Sequence, residues 1–294
     1  MVASVAVNLL AVFLLDLAIQ GIAYVISAFL KTEKFYDLAG SLTYIACTLL
    51  SLLYRHNGDD LTNVQPRQII IAVMVMVWAI RLGTFLFIRV LKEGKDARFD
   101  SVKGNPLRFS IYWIMQLIWI YVTALPAWIV LGNDTFNVPN LVWSDYVGIV
   151  VWVYGFIVES TADTQKFMFK LRNRKDFMSS GVWYYCQYPN YHGEIVLWIG
   201  IWILSVHGFT DNWQFVSIIS PLFEAALILG LSGVPLAEKS LETRYGTRAD
   251  FRAYKAATPK FFLWFPRNIP VEDDPNQEGP DSTAQTGAQG GSLM

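Results

Sequence analysis

Of 294 residues, 54% are hydrophobic and only 16% are charged, where a soluble chain carries about a quarter charged residues. The apolar residues come in blocks of about 20, the length that crosses a hydrocarbon core, so a soluble fold is excluded and an all-α, polytopic membrane protein is expected. The net charge of −1 says nothing about partners by itself, no nucleic-acid partner is expected, and Cys47, Cys186 and three scattered His provide neither a disulfide framework nor a metal site.

Taken in order, the chain predicts seven spans at about 3–30, 37–54, 68–90, 109–131, 141–161, 194–209 and 214–237. The first run has no basic residues before it and no clear cleavage site, so it reads as a retained helix rather than a signal peptide. It carries Asp16 and Gln20 one turn apart, and Asp37 opens the second span. The third holds Arg81 within W-A-I-R-L-G, where Gly83 allows close helix approach, and Arg89 follows two turns later. A charge-rich connector, Lys92 to Asp100, includes Asp96 and Arg98; the fourth span contains Gln116 and Pro126, and Pro126 should kink or break it. The sixth span is short, and Glu224 lies within the seventh. Ionisable groups inside spans are costly, so each is expected to find a partner, snorkel to the headgroups or mark a site.

Lys and Arg concentrate in alternate connections: 31–34, 92–108, 166–175 and 239–267. Loop 55–67 has only Arg55 and Arg67, and the connections near 132–140 and 210–213 have none. That asymmetry places the N-terminus outside and the C-terminus in the cytosol. Residues 1–267 read as one membrane domain, with 1–131 mainly the substrate side and 141–267 mainly the cofactor side. Residues 268–294 are polar, Gly/Pro-rich and aromatic-free, and read as a disordered tail. The expected location is the endoplasmic reticulum membrane in a eukaryote or the cytoplasmic membrane in a bacterium.

Chemistry-bearing residues gather between Glu159 and Trp198. Asp163, Lys166 and Lys170 share a helix face, and Arg172, Arg174 and Lys175 follow. Spacing alone fits a basic membrane anchor as well as a binding site. Pro189 then suits a first helical turn, where Asn190, His192 and Glu194 stand beside backbone N–H groups that lack helical partners, a setting suited to a phosphate or ribose. Trp183, Tyr184, Tyr185, Tyr188 and Tyr191 form either an interfacial aromatic belt or packing for a cofactor ring. Glu238, Glu242 and Tyr245 share a face after the last span, and F-F-L-W-F-P reads as an interfacial segment. No G-x-G-x-x-G, P-loop or G-x-S-x-G occurs, so any nucleotide must bind among helices.

The motifs A-D-x-Q-K-x-x-F-K, G-V-W-Y-Y-C-Q-Y-P-N-Y-H-G-E and P-L-x-E-K-S-L, with W-A-I-R-L-G and K-D-x-R-F upstream, resemble the steroid 5-alpha-reductase-like membrane family over about 37–266. The resemblance implies a seven-helix bundle that holds NADPH near its cytosolic side and takes a lipophilic substrate from the bilayer. Asp163, Lys170, Asn190 and Glu194 match the family's cofactor-contacting positions. Lys166, Arg172, Arg174, Trp183, Tyr184, Tyr191, His192, Glu238 and Tyr245 complete the expected cofactor site, with the cations directed to phosphates. Arg81 takes the place of a ketone-polarising tyrosine, Asp37 that of its partnering glutamate, and Tyr44 is the nearby hydroxyl; these three are the catalytic candidates. Gln187 and Tyr188 stand where the branch has Arg-His, and Val234 and Glu238 where steroid reductases have His and Tyr. The expected activity is NADPH-dependent reduction of a carbon–carbon double bond conjugated to a carbonyl. The alternatives are an S-adenosylmethionine-dependent lipid or isoprenylcysteine-type methyltransferase, or a non-catalytic protein that binds a lipid or nucleotide.

Overall fold

A computed structural model describes residues 2–55, 64–133 and 140–267; the tail expected at 268–294 lies outside them. Among the described residues every regular element is helical. The order is α1 (Val2–Leu30), α2 (Tyr36–Arg55), α3 (Pro66–Glu93), α4 (Pro106–Thr123), α5 (Leu125–Gly132) and α6 (Trp143–Arg172). There follow α7 (Val182–Tyr185), α8 (Pro189–Ser205), α9 (Ile219–Ala226), α10 (Val234–Tyr245) and α11 (Ala249–Ala257). Five segments are long and apolar enough to cross a bilayer: α1, α2, α3, α6 and the stretch Asn212–Tyr245. A sixth is α4 with α5, bent by 53° at Ala124, as expected of Pro126, whose ring cannot continue the ladder. The expected sixth span, 194–209, corresponds to α8, whose 17 residues leave it short of the helices long enough to cross.

Lipid as solvent inverts the usual amphipathic rule. Along α1 the leucines at 10, 14 and 17 are exposed, while Asn8, Asp16, Gln20 and Ser27 are buried against the bundle. The stripe packs on α2, α4 and α5. Gln20 donates to Thr43 Oγ1 at 2.9 Å, and Asn8 to the Trp128 carbonyl at 2.8 Å, so these two amide donors are paired inside, whereas both Asp16 oxygens and the Ser27 hydroxyl are buried without a hydrogen-bond partner among the described residues. At the bundle's centre Tyr44 packs among Trp78, Trp119, Trp128 and Trp198, with ring centroids 5.0–6.5 Å away.

The tightest pairing is α6 with α8, and glycine makes it. Gly148 and Gly155 on α6 face Gly200 and Gly193 on α8. A Cβ at Gly155 would stand 2.6 Å from the Gly193 carbonyl oxygen, and one at Gly200 2.6 Å from the Trp152 nitrogen. Only bare backbone fits at such separations. Gly83 plays a similar part between α3 and α2, where its Cβ would lie 2.4 Å from the Ser41 side chain.

Arg67, expected in a connecting loop, is instead buried on the first turn of α3. It forms a two-pronged ion pair with Asp145 at 3.0 and 2.7 Å, because an isolated charge there would have no solvent. This pair marks one end of the bundle, and the basic connections mark the other. Between them lies Arg81, 14 residues from Arg67 and so about 21 Å along the helix.

Candidate functional site

Arg81 reaches across to α6 and donates to Glu159 Oε1 at 2.5 Å and to Asp163 Oδ2 at 2.7 Å. The two acids are one turn apart, so a single planar guanidinium serves both. Across the glycine seam Glu194 has Glu159, Asp163 and Arg81 as electrostatic neighbours, together with Glu224 of α9. Glu224 is buried, and its Oε2 accepts from Trp119 Nε1 at 2.8 Å and Thr123 Oγ1 at 2.9 Å. Asn190, one turn before Glu194, has its amide oxygen buried and without a hydrogen-bond partner among the described residues. Tyr191 has Glu194, Asp163, Arg98 and Arg89 as electrostatic neighbours.

The bundle's basic end continues the site. Lys166 lies over the Trp183 ring, 4.7 Å from its centroid, and Trp183 is fixed by donating Nε1–H to the Ala162 carbonyl at 3.0 Å. Gly181 allows this by taking φ of 62°, a conformation that strains L side chains, and by leaving room for Gln165, whose side-chain oxygen receives the Val182 N–H at 3.0 Å. Lys166, Lys170, Trp183, Gln187, Tyr188 and Glu238 line a pocket at this end. Burial pushes the Tyr188 hydroxyl up to about 12, with the Glu238 carboxylate adding to the effect, and burial also raises the neighbouring Cys186 thiol to about 11.

Not every expected residue joins this group. Asp37 does not meet Arg81; both its oxygens accept from Arg98 at 3.2 Å, and Arg89 lies 3.9 Å away. It belongs to a charged knot in which Arg98 also grips Asp96, while Lys103 and the Asp96 backbone N–H bind Glu33. Burial opposes ionisation of Asp96, but the Arg98 hydrogen bonds outweigh it and hold the carboxyl below its ordinary value. Asp163 and Lys170 share a face yet do not pair: Lys170 donates to the Asp176 carbonyl and, at 3.0 Å, to the Tyr245 hydroxyl. Tyr245 is thereby used within a cluster with Phe177 and Phe251. Glu238 is bound by Lys255 at 2.9 Å and Lys260 at 2.8 Å, which clamps α10 to the chain after α11. His192 is two residues from Asn190 and from Glu194, so it points away from them. It contacts the Tyr154 hydroxyl at 3.2 Å and packs against Phe261 and Phe262. Arg172, Arg174 and Tyr184 are exposed. Tyr44 is fully buried in the tryptophan cage.

Sequence reasoning did not assign Glu159 or Glu224 to the site, although an acid inside an apolar span was the available signal. Gln187 also proves structural. Its amide donates to the carbonyls of Lys255 and Thr258 at 2.9 and 2.6 Å, which ties the approach to α8 to the C-terminal segment.

Fold and site together define a polytopic helical membrane protein with a buried acid–guanidinium cluster opening toward a basic end. Residues 23–258 match the family described as protein of unknown function (DUF1295), and the chain belongs to that family. Neither curated proteins nor solved structures yield a match.

Proposed function

We propose that this is an NADPH-dependent, steroid 5-alpha-reductase-like enzyme that reduces a carbon–carbon double bond conjugated to a carbonyl in a lipophilic substrate drawn from the bilayer. One observation carries the reading: four buried donors of the same aromatic cage make no hydrogen bond of good geometry among the described residues. They are the Tyr44 hydroxyl and the Nε1 of Trp78, Trp128 and Trp198; Tyr44 has Thr123 and Trp78 has Glu159 as a polar neighbour, while none is shown for Trp128 or Trp198 among the described residues. An unmet buried donor costs about 1–3 kcal/mol, and a lipid carbonyl oxygen is an acceptor of the required kind. Such donors, set where negative charge develops on that oxygen, favour the reaction because no water competes.

The residues present also suit the cofactor. The orphaned Asn190 oxygen is an acceptor for an amide or hydroxyl hydrogen, exposed Arg172 and Arg174 suit phosphates, and Lys166 over Trp183 makes a cationic, aromatic wall. When bound, NADPH supplies the hydride. Arg81, already neutralised by Glu159 and Asp163, acts by fixing these acids rather than by meeting the substrate oxygen itself, and that part passes to Tyr44.

The test is thermal stability of the purified protein with NADPH, NADH or S-adenosylmethionine. A ligand at a hundredfold excess over its dissociation constant adds about 2.7 kcal/mol. Stabilisation by NADPH, lost in Asn190→Ala, is the expected result. Stabilisation by S-adenosylmethionine alone would replace the reductase with a methyltransferase.

A further inference from the structure

Beyond α11 the chain runs back over the start of α8, and its backbone is spent on that contact. The Gln187 N–H donates to the Pro259 carbonyl at 2.9 Å, and the Trp264 N–H to the Tyr185 carbonyl at 3.0 Å. The Cys186 thiol donates to the Phe261 carbonyl at 3.1 Å, and the Gln187 amide holds Lys255 and Thr258 from the same side. Phe261 and Phe262 pack on His192, and Phe265 on Tyr185, with ring centroids 5.3–6.2 Å apart. The Arg267 N–H returns to the Ala257 carbonyl at 2.9 Å. Held this firmly, the segment still turns its largest rings outward: Phe262, Trp264 and Phe265 are 70%, 72% and 70% exposed.

Depth decides what covers them. Exposed Trp143 opens α6 at the far interface, where tryptophan is favoured. Glu159 lies 16 residues further on, about 24 Å, and the hydrocarbon core is about 30 Å thick. Gly193, near the start of α8, packs against Glu159, and the neighbouring His192 reaches Tyr154, further still from the basic end. The segment that packs on His192 therefore lies at the depth of lipid rather than in water. Irregular backbone at that depth must find its partners within the protein, and the hydrogen bonds to Tyr185, Cys186 and Gln187 serve that need. Lys260 and Arg267 flank the run and are both exposed. Long cationic side chains at such a boundary reach toward headgroup phosphates.

We propose that residues 258–267 form a strap seated in the bilayer leaflet at the basic end, with Phe262, Trp264 and Phe265 among phospholipid chains and Lys260 and Arg267 toward the headgroups. Its inner side meets the pocket already described. Gln187, Tyr254 and Lys255 line that pocket, and the Tyr254 hydroxyl donates to the carbonyl of Trp183, another lining residue, at 2.6 Å. Lipid on the outer side of the strap thus holds the pocket wall in place from behind. No cofactor is needed for this contact, so it stands apart from the reductase reading.

Fluorescence in lipid nanodiscs tests the seating. Trp264 is one of 11 tryptophans, so its signal is the difference between wild type and Trp264→Phe. That difference signal should be quenched by phospholipids brominated on their acyl chains and spared by iodide in the water. Quenching by iodide alone puts the ring in water, and protection from both quenchers puts it against protein, such as a second copy of the chain; either overturns the proposal. Cys186 beneath the strap reports the coupling, by maleimide labelling followed by peptide mapping. Phe262→Ser/Trp264→Ser should label at Cys186 at least about tenfold faster than wild type, since lipid no longer holds the strap down, while Cys47 stays protected. Unchanged labelling overturns the coupling. If Cys47 labels as well, the double variant has unfolded, and Phe262→Ser alone decides by the same criterion.

Discussion

Alanine at Gly155 should loosen the helix pair on which the site is built. Its methyl carbon would lie 2.6 Å from the Gly193 carbonyl oxygen, 2.6 Å from the Leu197 nitrogen and 3.0 Å from the Leu197 Cα. Favourable carbon contacts begin near 3.5 Å, so α6 and α8 must part by about 1 Å at a point where both partners are backbone. Overpacking of this kind costs about 1–3 kcal/mol. Against it stands the better helix propensity of Ala over Gly, about 0.8–1.0 kcal/mol. The net expectation is a loss of about 0–2 kcal/mol. Gly21→Ala supplies the control, because its Cβ would meet nothing within 4 Å and only the propensity gain remains. Thermal unfolding followed by tryptophan fluorescence, with and without NADPH, compares the two. Gly155→Ala should unfold at a lower temperature than Gly21→Ala and lose most of its NADPH stabilisation, because the seam sets the separation of Glu159 and Glu194. Equal midpoints and equal stabilisation would refute the seam as the element that holds the site.

Other substitutions probe the remaining parts. Arg81→Ala leaves Glu159 and Asp163 facing each other without a cation, and breaking a buried pair from one side costs about 3–5 kcal/mol; Arg81→Ala/Glu159→Gln should recover part of that in the same thermal assay. Cys186 is buried and its thiol is raised to about 11 by burial, so it should resist maleimide at pH 7.5 until the protein is denatured; rapid labelling of native protein would contradict its placement. Asp96 is held below its ordinary value in the fold, so its contribution is complete above the unfolded value, about 3.9, and is lost as pH falls through the lower folded value. Stability measured from pH 6 down to 3 should therefore fall more steeply in the wild type than in Asp96→Asn.

The spans were legible because hydrophobic block length answers directly to bilayer thickness, and the Pro126 break and the Pro189 helix start were legible because proline constrains backbone locally. Pairing was not. Asp37 and Arg81 are both polar residues in apolar surroundings, yet Asp37 is taken by Arg98 and Arg81 by two acids 78 and 82 positions away. Nothing local encodes those distances. Glu238 and Tyr245 carried the right spacing for a shared face, but their side chains are used by Lys255, Lys260 and Lys170 in docking the C-terminal helices. A helix face therefore says which residues travel together, not what they meet.

The glycines explain why the site sits where it does. Gly148 and Gly155 repeat at seven residues on α6, and Gly193 and Gly200 repeat at seven on α8, a register readable in the sequence once two helices are known to pair. In lipid, apolar surface gives little reason for two helices to associate, so close backbone approach and internal polar contacts must supply it. The seam supplies the first, and the second appears at its basic end, where Arg81 binds Glu159 and Asp163. The tightest and least deformable contact in the bundle thus lies beside its costliest charges. A seam that cannot widen without parting two backbones holds Glu159 and Asp163 where the single Arg81 guanidinium reaches both.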